Sequence, residues 1–136
     1  MQLLDSIENI SFIIDPPCLY IKVELKNNAK YFFGNLEGIY ELSSSVNEQP
    51  SWVFAEYAIW HSPISERYKS GVWCIGPLNS LGTNFCWICT EYRFDVPYDE
   101  STEWKYVIFG KWWTSINGDG FNSVNVQQIK IQQGTY

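Results

Sequence analysis

The sequence predicts an all-β fold, a compact antiparallel sandwich or barrel with a core rich in aromatic side chains. Aromatic residues make up 18% of the 136 residues, and all seven tryptophans lie between Gly38 and Trp113. The apolar runs are short, and glycine- and proline-bearing turns separate them at intervals of roughly ten to fifteen residues, as in sandwiches and barrels. No long helical period follows residue 17.

The chain divides into a short lead-in and one β domain. Residues 1–17 predict an extended arm or a short helix, and Pro16-Pro17 ends either of them. The β domain, residues 18–136, has the usual size of a single domain. Its first strand is predicted from the run CLYIKVEL, in which apolar and polar residues alternate. The residues of one face of this strand are Leu19, Ile21, Val23 and Leu25.

The middle of the chain predicts a series of short strands. A turn at 26–28 precedes a strand that starts at Tyr31-Phe32-Phe33, and the next strand ends at the serine run 43–45. The turn 47–50 leads into a strand that is broken near Glu56. In chain order, the predicted strands after the one that starts at Tyr31 are 38–42, 51–60, 71–76, 85–94 and 104–109.

The last part of the chain predicts sharp turns. Gly110-Lys111 lies where a bend before Trp112-Trp113 is needed, and Asn117-Gly118-Asp119-Gly120 is the strongest turn signal of the sequence. In the final run SVNVQQIKIQQ the apolar positions change parity, which predicts a β-bulge near Gln127-Gln128.

Charge and hydropathy disfavour two classes of partner. The net charge is −6 and no basic run occurs, whereas nucleic-acid binding needs a positive surface. No apolar run approaches the roughly 18 residues that a membrane span needs, so no membrane insertion is expected. The first residues lack a basic segment and carry Asp5 and Glu8, so no signal peptide is visible. A cytoplasmic protein and a piece excised from a larger protein both fit this beginning.

The four cysteines favour structural roles over metal or redox chemistry. Cys86 and Cys89 have the spacing of a zinc or thioredoxin motif, but they lie in a predicted strand, where positions i and i+3 point to opposite faces. A zinc site would also need ligands from Cys18, Cys74 or His61. We therefore expect no metal and no cofactor. Four cysteines allow three full pairings, and the sequence slightly favours at least one disulfide over four buried thiols.

An acidic loop offers the one catalytic alternative. Its carboxylates flank Pro97-Tyr98, and paired carboxylates are the machinery of glycosidases. A small glycosidase-like hydrolase is therefore the alternative function, and a solvated loop is the simpler interpretation. The acidic residues are Asp95, Asp99, Glu100 and Glu103.

The tryptophans predict mostly core and one contact site. Successive residues of a strand point to opposite faces, so Trp112 and Trp113 cannot both enter one core. One of them should lie at a surface or an interface, beside Trp104 and the polar loop at Tyr98 and Asp99. These five residues form the predicted ligand or partner site. The tryptophans placed within strands are Trp52, Trp60, Trp73 and Trp87.

A series of short motifs carries a resemblance to a known kind of module. In chain order the motifs are Gly38-Ile39-Tyr40, Pro50 with Trp52, Ile59-Trp60, Trp73-Cys74-Ile75-Gly76-Pro77, Leu81-Gly82, Trp104-Lys105-Tyr106 and Trp112. This pattern resembles an aromatic β module that recurs in large secreted proteins of marine invertebrates and in multidomain proteins of protists. The chain departs from it at Glu48, where the module's turn usually has glycine. The resemblance implies a non-enzymatic structural or recognition unit that is often extracellular.

The expected function is therefore that of a binding or structural interaction module, not of an enzyme. Its partner would be a glycan or a protein, and exposed indoles serve both kinds of contact. The expected setting is an extracellular or cell-surface assembly, with a homo-oligomer as one form of it. A cytoplasmic location stays open.

Overall fold

The computed structural model describes residues 17–63, 71–92 and 94–129. Within these ranges the fold is all-β, as predicted: nine antiparallel strands form one curled sheet, and two short helices pack on it. The strands are β1 (Tyr20–Leu25), β2 (Gly38–Val46), β3 (Gln49–Phe54), β4 (Tyr57–Ser62), β5 (Val72–Pro77), β6 (Ile88–Thr90), β7 (Trp104–Ile108), β8 (Lys111–Trp113) and β9 (Val124–Ile129). The helices are α1 (Asn27–Phe33) and α2 (Gly120–Ser123), and short 3-10 turns follow at Gly34–Leu36 and Leu78–Ser80.

The sheet is a meander whose last strand returns to the first. Its order is β8-β7-β6-β5-β4-β3-β2-β1-β9, so each of the first eight strands lies beside its neighbours in sequence. β9 pairs with β1 in continuous register, from Leu25 opposite Val124 to Tyr20 opposite Ile129. The sheet curls into a half-barrel, which brings β7 close to β9. The curl gives the sheet an inner and an outer face.

The inner face carries the main core. Its buried side chains come from strands β1 to β7 and β9 and from helix α1, and they include Trp52, Trp73 and Trp104. A smaller cluster covers β4, β5 and the region of β6 on the outer face. We call these the inner cluster and the outer cluster. The outer cluster consists of Ala58, Trp60, Val72, Cys74, Cys86 and Cys89, with Val46, Val53, Leu81 and Trp112 packed against it.

The buried indoles are held by hydrogen bonds as well as by packing. Trp52 Nε1 donates to the Cys18 carbonyl at 2.8 Å, and Trp60 Nε1 donates to the Thr83 carbonyl at 2.8 Å. Trp73 Nε1 donates to a third backbone carbonyl, at 2.7 Å. A buried indole N–H needs such a partner, because leaving it unpaired would cancel part of the benefit of burying the ring.

Helix α1 replaces the turn and strand predicted for residues 26–33. Ala29, Phe33 and Leu36 recur at the helical spacing i, i+4, i+7, and all three pack in the inner cluster. The run Tyr31-Phe32-Phe33 favours a strand by local propensity, but only a helix brings Phe33 to the core while Tyr31 stays exposed. The strand prediction here was wrong.

Two other strand boundaries and the position of one bulge differ from the predictions. Residues 43–45 do not end a strand, because β2 continues to Val46. The predicted strand 85–94 shortens to Ile88–Thr90. No bulge interrupts β9, whereas the pairing of β2 with β3 does shift register between Leu42 and Ser45. The predicted break near Glu56 is the turn between β3 and β4. The predicted lead-in lies, except for Pro17, outside the described residues.

Candidate functional site

Three of the five predicted site residues meet in one polar cleft. Tyr98, Asp99 and Trp104 line a cleft of about 210 Å³ between the loop before β7 and the edge of β9. Trp104 is only 1% exposed, so it offers the cleft little ring surface. The other lining residues are Glu100, Thr102, Val124, Asn125, Val126 and Gln127.

The acidic loop does not gather its four carboxylates in this cleft. Asp99 and Glu100 line it, whereas Asp95 lines a separate hollow beside His61. The Asp99 carboxylate accepts hydrogen bonds from the backbone N–H of Ser101 at 2.8 Å and from its hydroxyl at 2.6 Å. These bonds lower the pKa of Asp99. A glycosidase acid needs the opposite shift, so this carboxylate is not arranged as a general acid.

The two remaining predicted residues lie on opposite faces of β8. Trp113 packs against the inner cluster and Trp112 against the outer cluster, and both are half-buried. Each indole carries a cation near its ring: Lys111 Nζ lies 4.7 Å from the Trp113 ring centre, and Lys105 Nζ lies 5.3 Å from that of Trp112. Both rings therefore contribute to packing, and part of each stays exposed.

A second site, which the sequence did not predict, lies where the turn after β3, the end of β5 and the start of β6 meet helix α1. Two adjoining hollows of about 580 and 180 Å³ share Tyr57 and Trp87 as lining residues. We call them together the aromatic groove. The larger hollow is also lined by Ala55, Glu56, Pro77, Leu78 and Asn79, and the smaller one by Phe32, Phe33, Asn35 and Leu36.

Backbone pairing holds the two shared rings of the groove. Tyr57 lies opposite Pro77 in the pairing of β4 with β5. The N–H of Trp87 donates to the Ile75 carbonyl at 3.1 Å, and the Trp87 carbonyl accepts from Val107 N–H at 3.0 Å. Trp87 is therefore fixed from both sides, by β5 and by β7, although it precedes the first residue of β6.

Aromatic contacts set the orientation of the Trp87 ring. Phe33 of α1 lies nearly parallel to it, with ring centres 6.3 Å apart and an angle of 24° between the planes. Tyr57 meets it edge to face at 6.2 Å. The indole is half-buried, and both hollows open beside it. Trp87 thus packs against the inner cluster but stays partly exposed, whereas its position in a predicted strand indicated a fully buried residue.

Exposed aromatic residues extend the groove outward along α1. Phe32 lines the smaller hollow and meets Phe109 edge to face at 6.2 Å. Phe109 is 95% exposed and has a positive φ of 52°, and Tyr31 is 81% exposed. A bulky residue in the left-handed region is uncommon and strained. The helical spacing of Ala29, Phe33 and Leu36 is the sequence signal that could have located this surface.

The structure assigns no metal centre or disulfide to the described residues. Cys18, Cys74, Cys86 and Cys89 are all buried free thiols. In the described ranges no group of three or more His, Cys, Asp or Glu side chains is arranged to hold a metal ion. None of the described helices is long and apolar enough to cross a membrane.

Comparisons of the chain with protein-family models, with curated proteins and with solved structures found no match. The similarity to an aromatic β module thus stays a prediction from the motifs quoted above.

Proposed function

We propose that the protein is a non-catalytic binding module that takes a glycan in the aromatic groove. The observation that carries the proposal is the position of Trp87, a half-buried indole held from both sides by backbone hydrogen bonds and shared by two adjoining hollows. Such a ring can stack on the apolar face of a sugar without losing conformational freedom on binding.

The polar groups of the groove suit sugar hydroxyls. Glu56 and Asn79 line the larger hollow, and Asn35 lines the smaller one. Carboxylate and amide side chains accept and donate the hydrogen bonds that hydroxyl groups need. The larger hollow, at about 580 Å³, lies within the range of roughly 300–1,000 Å³ that small-ligand sites occupy.

The aromatic groove supports this function better than the polar cleft does. At the cleft, Trp104 is almost fully buried and the volume is about 210 Å³. At the groove, Tyr57 and Trp87 are both half-buried and both line the space. The glycan is therefore assigned to the groove, and the cleft at Tyr98 and Asp99 is an accessory surface at most.

One observation favours a protein partner as the second candidate. Phe109 and Tyr31 protrude beside the groove with 95% and 81% of their surfaces exposed. Exposed aromatic residues of this kind act as anchors in protein interfaces. On either candidate the resemblance suggests that the module works within an extracellular or cell-surface assembly.

The test is a binding titration with a panel of neutral, acidic and amino-sugar oligosaccharides, in which tryptophan fluorescence and calorimetry detect binding. We expect saturable binding that Trp87→Ala weakens about tenfold or more, because the stacking ring is lost. Tyr57→Ala should also weaken binding. Tyr92→Ala is the matched control, because Tyr92 is an exposed tyrosine that does not line the groove.

Two results would overturn the proposal. One is that no oligosaccharide of the panel binds at millimolar concentration. The other is a Trp87→Ala variant that folds and binds like the wild type. If no oligosaccharide binds, and if Phe109→Ser abolishes capture of a specific protein, the protein partner replaces the glycan as the proposed ligand.

A further inference from the structure

Three of the four cysteines converge on the outer face of the sheet. Cys74 of β5 and Cys89 of β6 are directly opposite each other in the strand register. Cys86 precedes β6. It lies against β5 beside Gly76, which is two residues after Cys74 in that strand. A Cβ added to Gly76 would be 3.1 Å from Cys86 Cα and 3.2 Å from Cys86 Cβ.

The absence of a side chain at Gly76 is what lets Cys86 approach β5. In a strand, residues 74 and 76 point to the same face, so Cys86 and Cys74 lie on one side of the sheet. The side chains of the C-x-x-C motif do not alternate between the two faces as they would in a regular strand, because Cys86 lies before the first residue of β6. The sequence-based expectation that Cys86 and Cys89 face opposite sides was therefore wrong.

Cys74, Cys86 and Cys89 pack together in the outer cluster. Cys86 lies close enough to the thiols of Cys74 and Cys89 for both to shift its pKa. All three belong to the outer cluster, with Trp60 among its buried members and Trp112 packed against it. Cys86 is the most accessible of the three at 9% exposure, against 1% for Cys74 and 7% for Cys89.

Cys18 has a different environment and cannot join this group. It belongs to the inner cluster, where its carbonyl accepts the Trp52 indole hydrogen bond. The sequence left all pairings of the four cysteines open, and the fold separates Cys18 from the other three.

We propose that Cys74, Cys86 and Cys89 form a thiol–disulfide site in which Cys86 is the sulfur common to every disulfide that forms. The oxidant is a small-molecule disulfide. The Cys86 thiolate, after losing its proton to solvent, attacks one sulfur of that disulfide. The sulfur–sulfur bond of the small molecule breaks, and its first thiol leaves.

A second step closes the disulfide within the protein. The thiolate of Cys74 or Cys89 attacks the Cys86 sulfur of the mixed disulfide and displaces the second small thiol. Two protein thiols thus lose two electrons and two protons, and the small disulfide becomes two thiols. Because Cys86 directly precedes Trp87, the new bond also restrains the backbone that carries the groove's tryptophan.

The environment of Cys86 limits the fraction of its thiol that is ionised. The neighbouring Cys74 thiol and burial raise the pKa of the Cys86 thiol, whereas Cys89 and the nearby Lys105 ammonium oppose this rise. Lys105 also pairs with Glu91 at 3.7 Å. Since only the thiolate attacks, oxidation proceeds through the small ionised fraction, which forms most readily where solvent and Lys105 reach the sulfur.

The test is to incubate the folded protein with oxidised glutathione, alkylate the remaining thiols after denaturation, and measure intact mass. We expect two thiols per chain to be lost without retained glutathione. Peptide mapping should find Cys86 linked to Cys74 or to Cys89. A linkage of Cys74 to Cys89, a linkage that includes Cys18, or no loss of thiols would overturn the proposal.

Serine variants test the central role of Cys86. Cys86→Ser should form no disulfide, whereas Cys74→Ser and Cys89→Ser should each still form one. Cys18→Ser is the matched control and should oxidise like the wild type. If Cys86→Ser folds and still loses two thiols, the proposal is wrong. If Cys86→Ser does not fold by circular dichroism, the peptide map of the wild type decides alone.

Discussion

Trp112 and Trp113 are neighbours in β8 and pack against opposite faces of the sheet. Trp113 lies opposite Tyr106 of β7 and joins the inner cluster, whereas Trp112 lies opposite Val107 and joins the outer cluster. The strand geometry that forbids one shared core thus gives each indole a core of its own. Both rings are half-buried, so part of each indole stays exposed beside its cluster.

The first prediction concerns this pair of indoles. Trp112→Ala and Trp113→Ala should each lower the free energy of unfolding by roughly 1–3 kcal/mol, because partly buried aromatic contacts are lost. Trp113→Ala should cost more, since its ring also packs against Gly118. Urea denaturation measures both values. Ile116→Ala is the control and should change little, because Ile116 is almost fully exposed.

The same two variants decide the binding role predicted for the pair. If both are destabilised yet bind glycan like the wild type, Trp112 and Trp113 are structural and the predicted contact site is wrong. If Trp112→Ala leaves stability unchanged, its packing on the outer cluster contributes nothing.

Local patterns were sufficient to predict the β class and several strands. The alternation of Ile21, Val23 and Leu25 identified β1, and the glycines and prolines between apolar runs identified the turns. Helix α1 was missed because its seven residues are rich in aromatic residues, which favour strands. There tertiary packing of Ala29 and Phe33 outweighs local propensity.

Local patterns could have located only the helix α1 side of the aromatic groove. Tyr57, Leu78 and Trp87 are separated in sequence, and the strand register brings them together at one end of the sheet. The apolar neighbours of Trp87 in sequence predict a buried ring. The direction of its side chain, however, is set by the path of the backbone before β6, which the local sequence does not indicate. The polar cleft was partly predicted, because Tyr98, Asp99 and Trp104 are close in sequence as well as in space.

The second prediction concerns the bond between Tyr106 and Asp119. The Tyr106 hydroxyl donates to Asp119 Oδ1 at 2.5 Å and lowers the pKa of that carboxyl from its ordinary value of 3.8. A carboxyl whose pKa is lowered by folding stabilises the fold at pH values above its unfolded-state pKa. This contribution is lost as pH falls through the folded-state pKa. Stability should therefore decrease on acidification.

Asp119→Asn tests this dependence because asparagine does not ionise. Between about pH 6 and about pH 3 the wild type should lose more stability than the variant, measured by urea midpoints at each pH. The other carboxylates contribute equally to the pH dependence of stability in the wild type and in the variant. Identical pH profiles would show that the Tyr106 bond does not distinguish the ionised from the protonated carboxyl.

The third prediction concerns the turn between β2 and β3. Asn47 and Glu48 both have positive φ, 54° and 67°, as the central residues of a type I′ hairpin turn do. Glycine adopts this conformation more easily than glutamate. Glu48→Gly should therefore raise the free energy of unfolding by about 0.5–1 kcal/mol, since relief of strain exceeds the added entropy of the unfolded chain.

A matched glycine substitution in a strand separates the two effects. Glu41→Gly lies at an exposed position of β2, and it should lower stability by roughly 0.5–1 kcal/mol. Thermal or urea denaturation compares both variants with the wild type. A loss of stability in Glu48→Gly would mean that the glutamate side chain contributes more than its backbone conformation costs.

The last prediction compares two indole hydrogen bonds of equal length. Trp52 Nε1 and Trp60 Nε1 each donate to a backbone carbonyl at 2.8 Å, and both rings are fully buried. The acceptors differ: Cys18 is buried, whereas Thr83 is exposed. Replacement by phenylalanine removes the same atoms in both cases, so the loss of ring volume is matched.

The difference between the two variants should report the burial of the carbonyl left behind. In Trp52→Phe the Cys18 carbonyl loses its partner where water does not reach it, at a cost of about 1–3 kcal/mol. In Trp60→Phe water can take the place of the indole at Thr83. We therefore expect Trp52→Phe to be the less stable variant by roughly 1 kcal/mol in urea denaturation. Equal losses would mean that lost ring packing alone sets the cost at both sites.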